Sequence, residues 1–476
     1  MTIQIKLLST RRNTWSGQVS KHLDDEIPLE RSPGPSWQDV LDQDSRPVPA
    51  FLREESPYLN GFDDIPKDRY LSREWHEKEK ACLWSRVWQF ACREEHIPKI
   101  GSYVVYEIAD QSYLVTRVSE DEIKAYPNVC LHRGRLLKTY DGRCSEFRCP
   151  FHGFAWHLDG NLKHVPAEWD FPHLETRSEE MALPEIKVGT WAGFVFINPN
   201  PDAESLEEFL GEEIQHHFER WDLENRYIQA HVSKTVNCNW KIANEAFSEG
   251  FHVNATHPQG MTYTGDPQSQ VDIWGNTARN ISPKGIPCPL LSFTPTEEQM
   301  LRDALDVRED EPLPIPFEEG ETMRTALSRA GRERFRDSFG DRVDDLTDAE
   351  FLDAWVYTVF PNFMPWGAFN RIFYRFRPNG DHHESCIFEI FYLTPFSGDR
   401  PPPAAETKLG PDDPWTDAEE LEKLAMVAEQ DTFNMQRVHQ GLKALRRDGV
   451  LLSRYQESIV RWRQDLLQEY VEQGPL

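Results

Sequence analysis

Apolar positions along the chain change period several times, and each change predicts a new element. Between Tyr70 and Trp88 the run YLSREWHEKEKACLWSRVW has helical spacing, with Ser72 placed to cap its start. From about Gly101 to Pro199 the pattern turns to short alternating stretches, among them SYVVYEIA, SYLVTRV, FAWHLDG and WAGFVFINP. These are β-branched, aromatic and bounded by turns, and they predict a compact all-β module. SLEEFLGEEIQHHFERWDL then reads as helix, IQAHVSKTV as strand and NWKIANEAFSEGFHV as helix. Residues 258–350 are rich in proline and read as loop, with an acidic helical stretch near DRVDDLTDAE. Three strands follow, AWVYTVF, NRIFYRFRP and ESCIFEIFYLTP, and two helices end the chain, AEELEKLAMVAEQDTFNMQRVHQGLKAL and SRYQESIVRWRQDLLQEYV.

The expected fold class is therefore α+β: a small all-β domain, then a larger domain with an antiparallel sheet wrapped by helices. Residues 1–60, polar and proline-bearing, are expected to form an extended arm. Residues 61–200 would hold the β module with its preceding helices, and 201–476 the second domain. A length of 476 residues agrees with two or three domains.

Charge narrows the partners. The chain has 52 Lys plus Arg against 80 Asp plus Glu, a formal charge of −28. Such a field repels phosphate backbones and excludes nucleic acid as the expected ligand. No apolar run is long enough for a membrane span, and MTIQIKLLSTRRNTW lacks the pattern of a signal peptide, so a cytoplasmic location is expected. Eight cysteines are too sparse for a disulfide scaffold. Those with histidine neighbours read better as metal ligands.

Cys130-Leu131-His132 and Cys149-Pro150-Phe151-His152 form two short ligand hairpins separated by a loop. Two thiolates and two imidazoles suit zinc, or a [2Fe–2S] cluster with cysteines on one iron and histidines on the other. Gly134 and Gly153 follow the histidines, where the backbone must bend closely. Cys144 lies between the pairs and outside their pattern. A second constellation begins with His252 and His257. Glu249 precedes His252 by three residues, on the same face if the segment is helical. Two histidines and a carboxylate complete a facial triad for Fe(II) with open positions. The best carboxylate is Asp431, in the middle of a long amphipathic pattern.

VCLHRG…CPFHGFAWHLDG resembles the Rieske motif of the α (catalytic) subunits of ring-hydroxylating oxygenases. NWK…EAFSEGFH…THP and EQD…VHQGL resemble that family's iron-binding segments. The resemblance implies that Cys130 and Cys149 bind one iron of a [2Fe–2S] cluster and His132 and His152 the other. It makes His252, His257 and Asp431 ligands of a mononuclear Fe(II), and implies a catalytic domain of helix-grip type. Departures stand at Ala246, Phe251 and His439, and Glu249 replaces the aspartate of many ring dioxygenases.

A one-electron cluster beside an open iron site describes an oxygenase that hydroxylates, dihydroxylates or oxidatively demethylates a small organic substrate. The resemblance implies a homotrimer, alone or as α3β3, in which Glu249 links the cluster of one subunit to the iron of the next. It also implies electrons from NAD(P)H through a separate reductase, with or without a ferredoxin. The chain has no G-x-G-x-x-G fingerprint of its own. Phe251, Trp274, Trp355, Tyr357, Phe360, Met364, Phe369 and Phe373 are candidates for an apolar pocket, and residues 258–295 for a lid. The competing classes are a Rieske electron carrier without oxygenase activity and a zinc-binding interaction protein.

Overall fold

The computed structural model describes residues 32, 34–56 and 61–476. The rest of the arm expected over 1–60 lies outside the described residues. Residues 34–56 begin with a helix, Trp37–Leu41, whose Ser36 cap and Asp39 form a reciprocal capping box. Trp37, Leu41, Phe51 and Leu52 are buried in the main core, and the Trp37 indole donates to Asp353 at 2.9 Å.

The expected β module is built from small antiparallel sheets. One has the order Ile123–Pro127, Gln111–Arg117, Ser102–Ile108, Gly142–Arg143, and another Phe147–Arg148, Ala155–Trp156, Leu162–His164. Leu114, Tyr126, Phe147, Phe154 and Trp156 fill the space between them together with Cys130 and Cys149. A third sheet joins Lys187–Trp191, Phe194–Asn198 and Gln89–Arg93. Its central strand is buried along its whole length and belongs to the core of the second domain.

The second domain carries an eight-stranded sheet. Its order is Gln270–Trp274, Thr277–Ser282, Ala354–Val359, Phe363–Pro365, Ile372–Asn379, His382–Pro395, Arg226–Val236, Glu406–Leu409. Every pair is antiparallel except the last, where Glu406–Leu409 runs parallel to Arg226–Val236. Aromatic pairs knit neighbouring strands: Phe373 stacks on Phe391 at 4.3 Å and Phe376 on Phe388 at 4.6 Å. Phe247 lies over Tyr374 and Phe388 at 4.7 and 5.2 Å. The segment that follows Trp240 is thus held on the sheet. The Lys423–Ala444 helix lies beside it, burying Ala428, Met435 and Leu442.

Several sequence expectations change. The helix read over SLEEFLGEEIQHHFERWDL breaks at Gly211, which has φ +78°, into Leu206–Leu210 and Glu212–Phe218. Residues 270–282, read as part of a loop and lid, form the Gln270–Trp274/Thr277–Ser282 hairpin of the main sheet. Because that hairpin is hydrogen-bonded to Ala354–Val359, it cannot swing as a lid. A 17-residue helix, Met323–Phe339, also occupies the stretch read as loop.

The two domains share a buried charge. Glu79, just before the first strand of the module, accepts from Lys241 Nζ at 2.6 Å and Trp240 Nε1 at 3.0 Å. Trp75 Nε1 donates to the same carboxylate at 2.9 Å. Both Glu79 and Lys241 side chains have no exposure.

Candidate metal centres

The two cysteine hairpins fold alike. In each, the cysteine carbonyl accepts from the glycine four residues on, Gly134 at 2.9 Å and Gly153 at 3.0 Å. In each, the cysteine amide donates across the loop, Cys130 to Arg135 O and Cys149 to Phe154 O, both at 2.8 Å. Closing such a loop needs positive φ, and Gly134 and Gly153 supply +75° and +88°. The two loops bring Cys130 and Cys149 into contact, 2% and 1% exposed. Burial and the neighbouring Cys149 thiol push the Cys130 thiol up, against the backbone amides of His132 and Arg133. The His132 and His152 rings meet edge-on at 4.9 Å, and His132 stacks on Phe154 at 4.5 Å.

His132 Nδ1 is buried with no hydrogen-bond partner. An orphaned imidazole nitrogen beside a buried thiol pair fits a bound metal group, and this donor set fits a [2Fe–2S] cluster with two nitrogen and two sulfur ligands. Cys144 is half-buried, forms no disulfide, and packs against the cluster of side chains that holds Cys130 and Cys149.

The second centre assembles from two segments. Asn239 caps the Trp240–Glu245 helix through its side chain. The helix then stops. Residues 246–250 form a turn, and a short helix, Val253–Thr256, resumes after His252. Glu249 is therefore not one turn along a continuous helix from His252, as the sequence predicts. It sits in the break and grips His252 twice, accepting from its backbone N–H at 2.9 Å and from Nδ1 at 2.8 Å. Gly250 allows the tight passage, since a Cβ there would lie 3.0 Å from Asp266 Oδ1 and 2.9 Å from Ser282 Oγ.

His257 ends the short helix, just before Pro258. Its Nδ1 donates to Gln430 Oε1 at 2.7 Å, and its Nε2 lies 2.8 Å from Asp431 Oδ1. His252 Nε2 lies 3.6 Å from the same oxygen. Both rings are thus held at Nδ1 by an acceptor and present Nε2 to one carboxylate. The three donor atoms lie within 4.8 Å of one another. Metal bonds of ~2.1 Å at right angles need donors about 3 Å apart, so the set matches a facial triad. Burial pulls the His252 imidazolium down, but Glu249, Asp431 and Asp266 outweigh it and raise its pKa to about 9. The site is anionic and calls for a cation. Asp431 is 3% exposed, so it is no solvated helix residue.

A cavity of about 280 Å³ opens beside the triad, with His252, Asp431 and Glu249 in its wall. None of the aromatic residues proposed from the sequence lines it. Trp355, Tyr357, Phe360, Met364 and Phe373 are core residues with at most 1% exposure, and Phe369 is also buried. Trp274 packs on His217 and under Arg279, and Phe251 is half-exposed. The wall is instead mainly aliphatic, with Glu245 and Glu457. His439 accepts from Asn239 N–H and faces Glu384, away from the triad. Gln430, Glu245, Glu457 and Asp266 were missed. Gln430 had a local signal in its place beside Asp431, and Glu245 in its place at the start of EAFSEGFH; Glu457 and Asp266 had none.

A β module with paired Cys/His loops, joined to a sheet-and-helix domain with a two-histidine, one-carboxylate group, presents two candidate metal centres. A model of the Rieske [2Fe–2S] domain matches residues 87–175. A model of the ring-hydroxylating α subunit catalytic domain matches residues 213–473, more than half of the chain. The chain belongs to the ring-hydroxylating α subunit family, whose cofactors are the [2Fe–2S] cluster and a mononuclear iron.

Among similar proteins are the large subunit of anthranilate 1,2-dioxygenase from Acinetobacter baylyi, 31% identical over 206 residues, and the oxygenase subunit of glycine betaine monooxygenase from Pseudomonas aeruginosa, 29% identical over 198. These alignments span 42% and 41% of this chain, and 43% and 45% of the relatives' own lengths. A quaternary ammonium Rieske monooxygenase solved with L-carnitine shares the fold at a TM-score of 0.60 and 16% identity, over 86% of this chain and 96% of that one. Naphthalene 1,2-dioxygenase from a Rhodococcus species, bound to indole, does so at 0.58 and 19%, over 87% and 95%. Among the described residues no helix is long and apolar enough to cross a membrane.

Proposed function

We propose that the chain is the catalytic subunit of a Rieske oxygenase. In this reading Cys130, His132, Cys149 and His152 hold the cluster, and His252, His257 and Asp431 hold the mononuclear iron. The observation that carries it is the convergence of both Nε2 atoms on Asp431 beside an open cavity. When bound, the cluster supplies single electrons and the mononuclear iron supplies open positions for activating O2 next to substrate.

The protein's own groups do the arranging. Glu249 and Gln430 fix the tautomer and tilt of the two histidines. The aliphatic wall excludes water from the substrate and favours an apolar body there. The reaction is a hydroxylation, dihydroxylation or oxidative demethylation of a small molecule. Electrons come from NAD(P)H through a reductase, directly or by way of a ferredoxin. We further assign a cytoplasmic homotrimer, alone or as α3β3, with an arm over 1–60 and domains over 61–200 and 201–476. Within it Glu249 accepts from His252 and from a cluster histidine of the neighbouring subunit. A carboxylate has the capacity for both.

The test is metal content and product. Asp431→Ala should lose the third iron per chain, keep the red-brown cluster and form no product with NADH, a surrogate reductase and O2. Full iron content with normal turnover would defeat the triad. A colourless protein containing zinc would favour the interaction-protein class, and a protein with two irons the electron-carrier class.

A further inference from the structure

The charges around the cavity beside the triad are unbalanced. Among the described residues its wall contains four carboxylates, those of Glu245, Glu249, Asp431 and Glu457, and neither lysine nor arginine. Glu249 and Asp431 face the metal ligands. Glu245 and Glu457 do not. Glu245 stands on the Trp240–Glu245 helix and accepts from Gln464 Nε2 at 2.6 Å. Glu457 precedes the C-terminal Ser458–Glu472 helix and accepts from the Ser453 amide at 2.6 Å. Between them the surface is aliphatic, formed by Ile242, Val438, Leu442, Leu452 and Val460.

Burying carboxylates among aliphatic groups is costly unless a positive charge meets them. Arg463, the hydrogen bonds from Gln464 and Tyr70, and Lys241 only partly offset the burial of Glu245, whose carboxyl is still raised to about 7, and neither Arg463 nor Lys241 is in the wall. Glu457 is also raised, by burial and by the charge of Glu249, with Arg461 a weaker counterweight. Both acids are therefore short of a counter-charge on the cavity side. An anionic substrate would meet the like charges of Glu245 and Glu457. A neutral hydrocarbon would bring Glu245 and Glu457 no positive charge on the cavity side.

We propose that this cavity takes a small organic cation, an alkylammonium whose apolar arms lie on the aliphatic wall and whose charge is matched by Glu245 and Glu457. This rests on the oxygenase reading only in treating the cavity as the substrate site. Its 280 Å³ sits just below the ~300–1,000 Å³ of drug-sized pockets, which suits a ligand of few heavy atoms. Among the described residues the wall has Tyr70 and no other Phe, Tyr or Trp, so recognition is by carboxylate rather than by an aromatic cage.

The experiment compares three probes on the intact, iron-loaded protein by calorimetric titration: choline, its neutral isostere 3,3-dimethylbutan-1-ol, and benzoate. Choline should bind at least tenfold more tightly than the isostere, and benzoate should not bind. Glu245→Gln and Glu457→Gln, which keep size, should each reduce the preference several-fold, and the double variant should abolish it. Unchanged circular dichroism and cluster absorbance would show that the variants are folded. Equal binding of choline and the isostere, a preference that survives the double variant, or no binding of any probe would overturn the proposal. Preferential binding of choline without O2-dependent product from any substrate would support the cation site while refuting the oxygenase. Turnover of neutral aromatics without cation binding would do the reverse.

Discussion

Replacing Glu245 by glutamine should stabilise the protein at pH 8 and leave it unchanged near pH 4.5. Burial is the largest influence on this carboxyl and outweighs Arg463, Gln464 and Tyr70, so it titrates at about 7 rather than 4.5. Between those values the folded protein keeps a proton that the unfolded chain has released. The wild type therefore loses stability as pH rises through that window and recovers it on acidification. At ~1.4 kcal/mol per pH unit the loss approaches about 3 kcal/mol above pH 7, and less where water in the cavity solvates the carboxylate. Glutamine is neutral at every pH and its carbonyl still accepts from Gln464. The assay is scanning calorimetry of both proteins between pH 4.5 and 8. The midpoints should coincide at the acid end and separate by a few degrees at pH 8, with the variant higher. A gap that does not change with pH, or a less stable variant at pH 8, would show that attraction to Arg463 exceeds the cost of burial and would refute the reasoning.

Replacing Cys130 or Cys149 by serine should bleach the visible spectrum and abolish activity, because a hard oxygen is a poor substitute for a soft thiolate; Cys144→Ser should do neither, and cluster loss in that variant would break the ligand assignment. Gln430→Ala removes the acceptor at His257 Nδ1 and should weaken iron retention ~10–100-fold in a chelator competition, with the cluster spectrum intact. Glu249→Ala should leave both metals bound and cluster reduction normal but stop NADH-driven product formation, with partial rescue by peroxide. Single-turnover reoxidation of the cluster is the measurement there, and a wild-type rate would remove Glu249 from the electron path.

What the sequence revealed follows from how local each feature is. The cluster loops close within a few residues, so Cys130, His132, Cys149 and His152 were legible from spacing and glycine alone. The spacing of His252 and His257 says little alone, since His152 and His157 share it; Glu249 nearby and the family resemblance singled the pair out, and the amphipathic pattern that places Asp431 is that of one unbroken helix. The break at 246–250 was not legible. Ala246 and Phe247 pack against the core in the turn as they would in a helix, so apolar periodicity runs through it. The 270–282 hairpin carried a two-residue Gly275-Asn276 turn, but Asp272 and Arg279 form a fully buried ion pair that hides its apolar alternation. The Met323–Phe339 helix was lost likewise: Arg324 and Arg332 are buried against Asp353 and Asp348, charge partners that no apolar count detects. The pocket was misplaced because its wall is made by segments far apart in sequence, at Tyr70, Ile242, Leu442 and Val460.

The buried contact between Glu79 and the Trp240-Lys241 pair bears on how such proteins can be recombined. The acid that neutralises a lysine at the root of the iron-binding segment lies on the stretch leading into the cluster module, not in the iron domain itself. A graft that exchanged residues 61–200 for a foreign module without an equivalent acid would strand Lys241, and removing one member of a buried pair costs about 3–5 kcal/mol. A graft starting at residue 87, where the Rieske match begins, would leave the pair whole. The working border between the two modules therefore falls after the helical segment that looks like the first one's leader, and Glu79 travels with the iron it never touches.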